Sequence, residues 1–250
     1  MTLINKDELV FVPLGGSGEI GMNLNLYGLD GRWLMVDCGI SFSGDDLPGV
    51  DVIMADITFI EQQAKSLEAI LLTHAHEDHL GAVHHLWQRL RVPIYATPFC
   101  AAILKSKLTE VGLEHSVPIH LVKTGDRISL GPFDVEFIGV THSVPEAQAI
   151  AIRTRRGTIL HTGDWKLDDI PVVGNVTDSN VFKMLGEEGV LAMVCDSTNI
   201  FAKEKAGSEG EIFDKLREIV DGASARVAIT TFASNIARLK TIFRVAEVFP

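Results

Sequence analysis

Four side chains able to bind metal fall within positions 74 to 79 of the run Thr73-His74-Ala75-His76-Glu77-Asp78-His79-Leu80-Gly81. An apolar stretch at 69–73, read as a buried strand, precedes them, and a helix-periodic stretch at 80–90 comes after. Side chains alternate along extended backbone, so His74 and His76 project to the same side, while Asp78 and His79 sit where the helix begins and face a second point close by. One ion cannot easily accept all four. Two ions roughly 3.5–4 Å apart can, and a mixture of imidazole and carboxylate favours zinc over magnesium, with manganese also compatible. Paired ions of this kind promote hydrolysis, because they lower the pKa of water and stabilise charge developing on oxygen.

Such a site needs further ligands, and other strand ends offer them. Val140-Thr141-His142-Ser143 closes one expected strand and Leu160-His161-Thr162-Gly163-Asp164 another. Asp164 can bridge two ions, one per oxygen, and His142 then completes the set of the first. Asp37, in Val36-Asp37-Cys38-Gly39, also ends a strand and is placed to orient a ligand histidine through its free ring nitrogen. His161 has the wrong alternation phase for a ligand and reads as packed or hydrogen-bonded, as do His84, His85, His115 and His120. Glu77 reads as a solvent-facing carboxylate at a helix start.

Gly16-Ser17-Gly18-Glu19-Ile20-Gly21 matches the G-x-G-x-x-G dinucleotide pattern, with Asp37 at about the spacing of a ribose-binding acid. The continuation has the wrong period. Residues 22–27 alternate as a strand, whereas a pyrophosphate site needs a helix there, so the glycines read as tight turns or close backbone approach.

The elements that must hold these residues alternate in kind. Residues 8–13, 22–27 and 32–37 read as strands, the last two joined by a hairpin turn at Leu29-Asp30-Gly31-Arg32. Helices at 57–66, 80–90 and 99–111 then alternate with strands at 69–73 and 94–96. Further strands are expected at 127–129, 135–140, 149–153 and 158–161. Antiparallel strands around a βα section predict an α/β (α+β) layered domain with helices outside packed sheets. From 191 a strand, a helix at 209–220, a strand at 225–231 and a helix at 235–248 read as the start of a second αβ unit. Ser208 and Glu211 have capping-box spacing, and Ser234 is placed to cap the last helix.

With 46% hydrophobic residues the chain can bury a real core, and a net charge of −11 gives it no global field that attracts a polyanion. Nucleic acid would have to be met by metal or by a local patch such as Arg153, Arg155, Arg156 and Lys166. The three cysteines fall singly, which fits a reducing cytoplasm. The N-terminal stretch is neither a leader nor an anchor in composition, and no run approaches a membrane span.

The His-x-His-x-Asp-His run, with Asp37, His142 and Asp164, resembles the signature of the metallo-β-lactamase superfamily. Within it, residues 13–23, the run Asp196-Ser197-Thr198-Asn199 and the run Thr230-Thr231-Phe232-Ala233-Ser234-Asn235 resemble the ribonuclease J branch of the β-CASP nucleases. The resemblance implies an αββα sandwich over 1–195 and the beginning of a β-CASP domain over 196–250. It implies that His74, His76 and His142 hold one zinc, that Asp78 and His79 hold the other, and that Asp164 bridges them. Asp196 matches an acid expected to support a histidine that acts on the leaving group. In such proteins that histidine, the last histidine ligand of the second zinc and the later β-CASP motifs lie beyond 250, so an N-terminal portion is expected.

The implied activity is cleavage of RNA by a zinc-dependent phosphodiesterase acting as a 5′–3′ exonuclease, an endonuclease or both. The implied setting is a homo-oligomer or an RNA-decay complex. Ser234 and Asn235, at a helix start, could bind a terminal phosphate. Two alternatives remain open: a hydrolase of a small thioester, lactone or lactam using the same metals, and a partner-binding module without turnover. The unit after 191 separates the first of these from a nuclease, which can use it to close a channel over a strand.

Overall fold

The computed structural model describes residues 7–44, 47–203 and 207–249. The opening strands β1 (Val10–Gly15), β2 (Leu24–Leu29) and β3 (Arg32–Val36) form an antiparallel meander. Asp30 and Gly31 both take positive φ, as the two-residue hairpin turn between β2 and β3 requires. A small hairpin, β4 (Ile40–Phe42) with β5 (Val52–Met54), precedes α1 (Thr58–Glu61) and a 3₁₀ turn at Ala64–Ser66. Then come β6 (Leu67–Leu71), α2 (Glu77–Leu80), α3 (Val83–Leu90), β7 (Ile94–Ala96), α4 (Pro98–Glu110) and β8 (Ile119–Leu121). They extend the first sheet in parallel, giving the order β1-β2-β3-β6-β7-β8.

The second sheet is built from β9 (Arg127–Leu130), β10 (Phe133–Gly139), β11 (Gln148–Thr154) and β12 (Gly157–His161), all antiparallel. After α5 (Ser179–Glu188), β13 (Val190–Val194) joins β12 in parallel at the edge. A 3₁₀ turn at Glu209–Glu211 leads into α6 (Ile212–Asp221), and α7 (Ile236–Val248) comes last. Among the described residues no helix is long and apolar enough to cross a membrane.

Side-chain alternation sorts the strands into layers. Leu24, Leu26, Trp33 and Met35 pack outward with Leu86, Leu104 and Leu108 of α3 and α4. Tyr27, Leu29, Leu34 and Val36 face inward and meet Val135, Phe137, Ile150 and Ile152 of the second sheet. The outer side of that sheet presents Ala149, Ala151 and Leu160 to Leu185 of α5. The result is the expected αββα sandwich. The ends of β3, β6, β10 and β12 all lead into loops at one rim, and there lie the residues that could do chemistry.

Several expected elements differ. The helix expected at 80–90 starts earlier and breaks at Gly81–Ala82, where the Ala82 N–H donates to the Cys38 carbonyl at 2.9 Å and the Asp78 carbonyl it would have met accepts from Asn23 instead. The helix expected at 57–66 is a single α turn and a 3₁₀ turn. The first strand lies at Val10–Gly15 rather than 8–13. The strand expected at 225–231 is not formed: Val227 and Ile229 are exposed, and no neighbouring ladder among the described residues pairs with this run. The G-x-G-x-x-G run leads into β2 with no helix, as its period-two continuation predicts. The first six residues, whose composition argues against a leader, lie outside the described residues.

Candidate metal centre

Asp37 is the anchor. It comes directly after β3 with positive φ, its N–H donates to the Leu71 carbonyl of β6 at 2.9 Å, and its side chain is fully buried. Its Oδ1 accepts from the Thr73 N–H at 2.8 Å, its Oδ2 from the Thr73 hydroxyl at 2.9 Å, and Oδ2 faces His79 Nδ1 at 2.7 Å. His79 therefore keeps a hydrogen on Nδ1 and presents Nε2 to the pocket. Since the Thr73 hydroxyl gives its hydrogen to Asp37, it accepts one from His74 Nδ1 at 3.0 Å, which leaves His74 Nε2 free on the pocket side. The ring of His76 is held from the opposite direction: Nε2 lies 3.3 Å from Ser143 Oγ, and the Ser234 backbone also hydrogen-bonds this ring.

Three ring nitrogens then face one another. His74 Nε2 lies 3.0 Å and His142 Nε2 3.2 Å from His76 Nδ1. Asp164, carried past β12 by a turn in which Gly163 has positive φ, aims Oδ2 at this group, 4.0 Å from His74 Nε2 and 3.7 Å from His142 Nε2. Its other oxygen, Oδ1, lies 3.2 Å from His79 Nε2, which is in turn 3.5 Å from Asp78 Oδ2. Two clusters share one carboxylate. The donor atoms of His74, His76, His142 and Asp164 lie within 4.8 Å of one another, and so do those of Asp78, His79 and Asp164.

Two backbone contacts clamp the second cluster. A Cβ on Gly39 would lie 1.7 Å from the Asp78 carbonyl oxygen, so only glycine lets that loop pass. Asn23 donates its backbone N–H to the same carbonyl at 2.9 Å and its side-chain amide at 3.1 Å, and that amide nitrogen is 3.2 Å from His79 Nε2. The Cys38 N–H donates to the His79 carbonyl at 2.7 Å. No sequence reasoning gave Asn23, Thr73 or Gly39 a place here. Each acts through contact between segments far apart in the chain, and only folding reveals it.

The electrostatics divide the two clusters. Burial, reinforced by the neighbouring His79, His142 and His76, pushes His74 well below the ordinary imidazole value. Burial likewise lowers His76, and brings His142 down to about 4 against the opposing pull of Asp164. His79 is different: burial pulls it down, but the charge of Asp37 and hydrogen bonds to Asp164, Asp37 and Asp78 push it well above that value. Burial would raise Asp164, yet its hydrogen bond to His79 and the surrounding imidazoles hold it down to about 2. Three neutral imidazoles with converging lone pairs repel unless a cation lies between them, and the three carboxylates around His79 favour positive charge. The donor set therefore fits paired metal ions.

Other residues fall elsewhere. Asp196 belongs to neither cluster. Its Oδ1 accepts from the Thr198 N–H at 2.9 Å and hydroxyl at 2.7 Å, although its charge is felt at His142. Ser234 and Asn235 stand beside the first cluster, with the Ala237 N–H donating to the Ser143 carbonyl at 3.0 Å. Asn235, not Ser234, caps α7: its Oδ1 accepts from the Arg238 N–H at 2.9 Å, because Asn235 is the last residue before helical backbone begins. Ser208 caps through Gly210 rather than Glu211, the turn there being 3₁₀.

His161 is buried with Nδ1 2.8 Å from the Tyr27 hydroxyl, as a packed histidine should be. Glu77, read as facing solvent at a helix start, keeps its side chain 39% exposed there and also pairs with Lys107 at 2.6 Å. The cationic patch is corrected. Arg155 pairs with Asp30 and Asp7 at the β11–β12 turn, the opposite end of β12 from Asp164, while Arg153 pairs with Glu136 and Lys166 with Asp168.

Known proteins are similar to this chain in sequence and in fold. Residues 32–181 match the family model described as a beta-lactamase superfamily domain. The chain is 51% identical to the Ribonuclease J of Sinorhizobium meliloti over 98% of its own length and 44% of that protein's. It is 41% identical to the Ribonuclease J of Mycolicibacterium smegmatis, over 93% of this chain and 42% of the relative. With the Helicobacter pylori Ribonuclease J it shares 38% identity, over 96% of this chain and 35% of the other. The chain thus spans less than half the length of these curated relatives. Among solved structures, a protein of unknown function from Enterococcus faecalis superposes with a TM-score of 0.65 at 18% identity, covering 96% of this chain and 63% of that one. Zn(2+)-bound PqqB from Methylobacterium extorquens gives 0.50 at 15% identity, covering 80% and 78%, and both likenesses are of fold. With more than half of its length inside the matching family model and its sheets layered as that fold requires, the chain belongs to the beta-lactamase superfamily.

Proposed function

We propose that this chain carries the metal centre of a ribonuclease that hydrolyses phosphodiester bonds of RNA. The observation that carries the reading is the shared carboxylate: Asp164 offers one oxygen to His74 and His142 and the other to His79. Identity of 51% to a protein named Ribonuclease J supports RNA as the substrate class. Zinc is the ion favoured by the imidazole-rich first cluster, and one solved neighbour of the same fold is described as zinc-bound, with manganese an acceptable substitute. The single, unpaired cysteines support a reducing cytoplasm as its location.

In this reading His74, His76 and His142 would hold one ion and Asp78 and His79 the other, with Asp164 shared between the two groups. Metal bound there would supply Lewis acidity for phosphate oxygens and for a water nucleophile at neutral pH. The protein supplies position. Asp37 and Thr73 fix the tautomers of His79 and His74, Asn23 holds the Asp78 turn, and the Ser234–Asn235 turn stands beside His76, where the RNA phosphate chain would pass. Asp196 would support a histidine that acts on the leaving group.

The test is incubation of metal-loaded protein with end-labelled RNA and, separately, with a thioester or lactam reporter. RNA cleavage abolished by chelator and by Asp78→Ala, with the reporter untouched, is the expected result. Cleavage of the reporter alone would replace this reading with a small-molecule hydrolase. A His76→Ala variant should lose metal and hydrolysis together.

A further inference from the structure

Asp168 lies four positions beyond Asp164 and is buried, 3% exposed. Lys166 Nζ reaches it at 2.7 Å, and it also accepts from the Ile170 N–H at 3.0 Å, the Ser208 hydroxyl and the Glu209 N–H at 3.1 Å. Gly210 completes the junction by donating to the Ile170 carbonyl at 3.1 Å; a Cβ on it would be 2.7 Å from that oxygen. Beside it, Glu209 is buried and accepts from two nitrogens on one edge of the Arg238 guanidinium, Nε at 2.7 Å and Nη2 at 3.1 Å. Such a two-point Arg–carboxylate fork fixes orientation as well as distance. Arg238 belongs to the first turn of α7, and its own N–H is the one that Asn235 caps.

The other end of this network reaches the metal cluster. The Lys166 N–H donates to the Thr141 carbonyl at 3.0 Å, directly before His142, and the Ala237 N–H donates to the Ser143 carbonyl, directly after it. The start of α7 is therefore tied to the loop after β12 by Asp168, Glu209 and Arg238, and rests on the His142 loop. None of these three residues touches a proposed ligand atom.

We infer that Asp168, Glu209 and Arg238 form a clasp that positions the first turn of α7 against the metal cluster, and so govern how the substrate chain is held rather than how metal is held. They are positioning residues. The inference rests on the ribonuclease reading for its substrate, but the clasp has a readout of its own.

The experiment uses Asp168→Asn, Glu209→Gln and Arg238→Lys, changes small enough to preserve the fold. Amide exchange, metal content, and kcat and KM on RNA are measured on each. Exchange at 235–238 should quicken, and KM should rise by about tenfold or more, with kcat and metal content within about twofold of the parent. Unchanged exchange at 235–238 would overturn the clasp. Loss of metal in step with KM would overturn it equally, making the residues supports of the metal site. If the parent cleaves no RNA, the ribonuclease reading falls, while the exchange data still decide the clasp.

Discussion

His79 shows how much a single side chain depends on its partners. With Nδ1 bound to Asp37, it has only Nε2 to offer the pocket. Asp37→Ala should therefore weaken binding of the second ion by about 10–100-fold while sparing the first, as competition titration with a zinc chelator would resolve. Gly39→Ala is harsher. The added Cβ would collide with the Asp78 carbonyl, and backbone cannot yield as a side chain can, so a loss of at least about 3 kcal/mol in denaturant unfolding is expected. The histidines and aspartates of the cluster were legible in sequence because their chemistry is carried by residue type and spacing. Asn23 and Gly39 were not. A glycine and an amide have many uses, and theirs here is to meet residues 55 and 39 positions away, respectively, a distance no local pattern records.

The elements carry their own signals, strongest where local chemistry decides the outcome. The turn at Asp30-Gly31 follows from backbone preference, and α4 starts with Pro98 at its first position, helped by the Glu146 carboxylate that accepts from the Phe99 N–H at 2.8 Å. The cap of α7 was displaced by one residue, and the two candidates predict different costs. Asn235→Ala should destabilise by about 1 kcal/mol and Ser234→Ala by no more than about 0.5 kcal/mol, measured by urea unfolding. Helix α5 is not among the expected elements, although Asp178 caps it and Val181, Phe182 and Leu185 form its packed face. The run at 225–231 shows the converse. β-branched residues make a strand only when another strand completes the ladder.

Asp168, which joins two elements, adds a pH dependence. Burial raises its pKa, but Lys166, the Ser208 hydroxyl and the N–H groups of Glu209 and Ile170 together hold it well below the usual carboxylate range. A depressed folded value contributes stability in full above the unfolded pKa of about 3.9, and that stability is lost as pH falls through the folded value. Asp168→Asn should lower stability at pH 7 and flatten the acid limb of the unfolding profile.

Across the whole molecule, two facing sheets bring strand ends from four parts of the chain to one rim, and no sequence pattern specifies that convergence. The layering was nevertheless legible, because inward and outward apolar residues alternate in β2, β3 and β11, while in β10 inward Val135 and Phe137 alternate with Asp134 and Glu136. Phe137 lies at the centre of the inter-sheet layer, so Phe137→Ala should cost about 3–5 kcal/mol while leaving every ligand side chain in place. A net charge of −11 makes metal the principal source of attraction for a polyanion. The decisive measurement is anomalous diffraction at the zinc edge from crystals of the zinc-loaded protein. Two peaks roughly 3.5–4 Å apart on either side of Asp164, one beside His74, His76 and His142 and one beside Asp78 and His79, are the expected result. A density map with no peak between these side chains would contradict it.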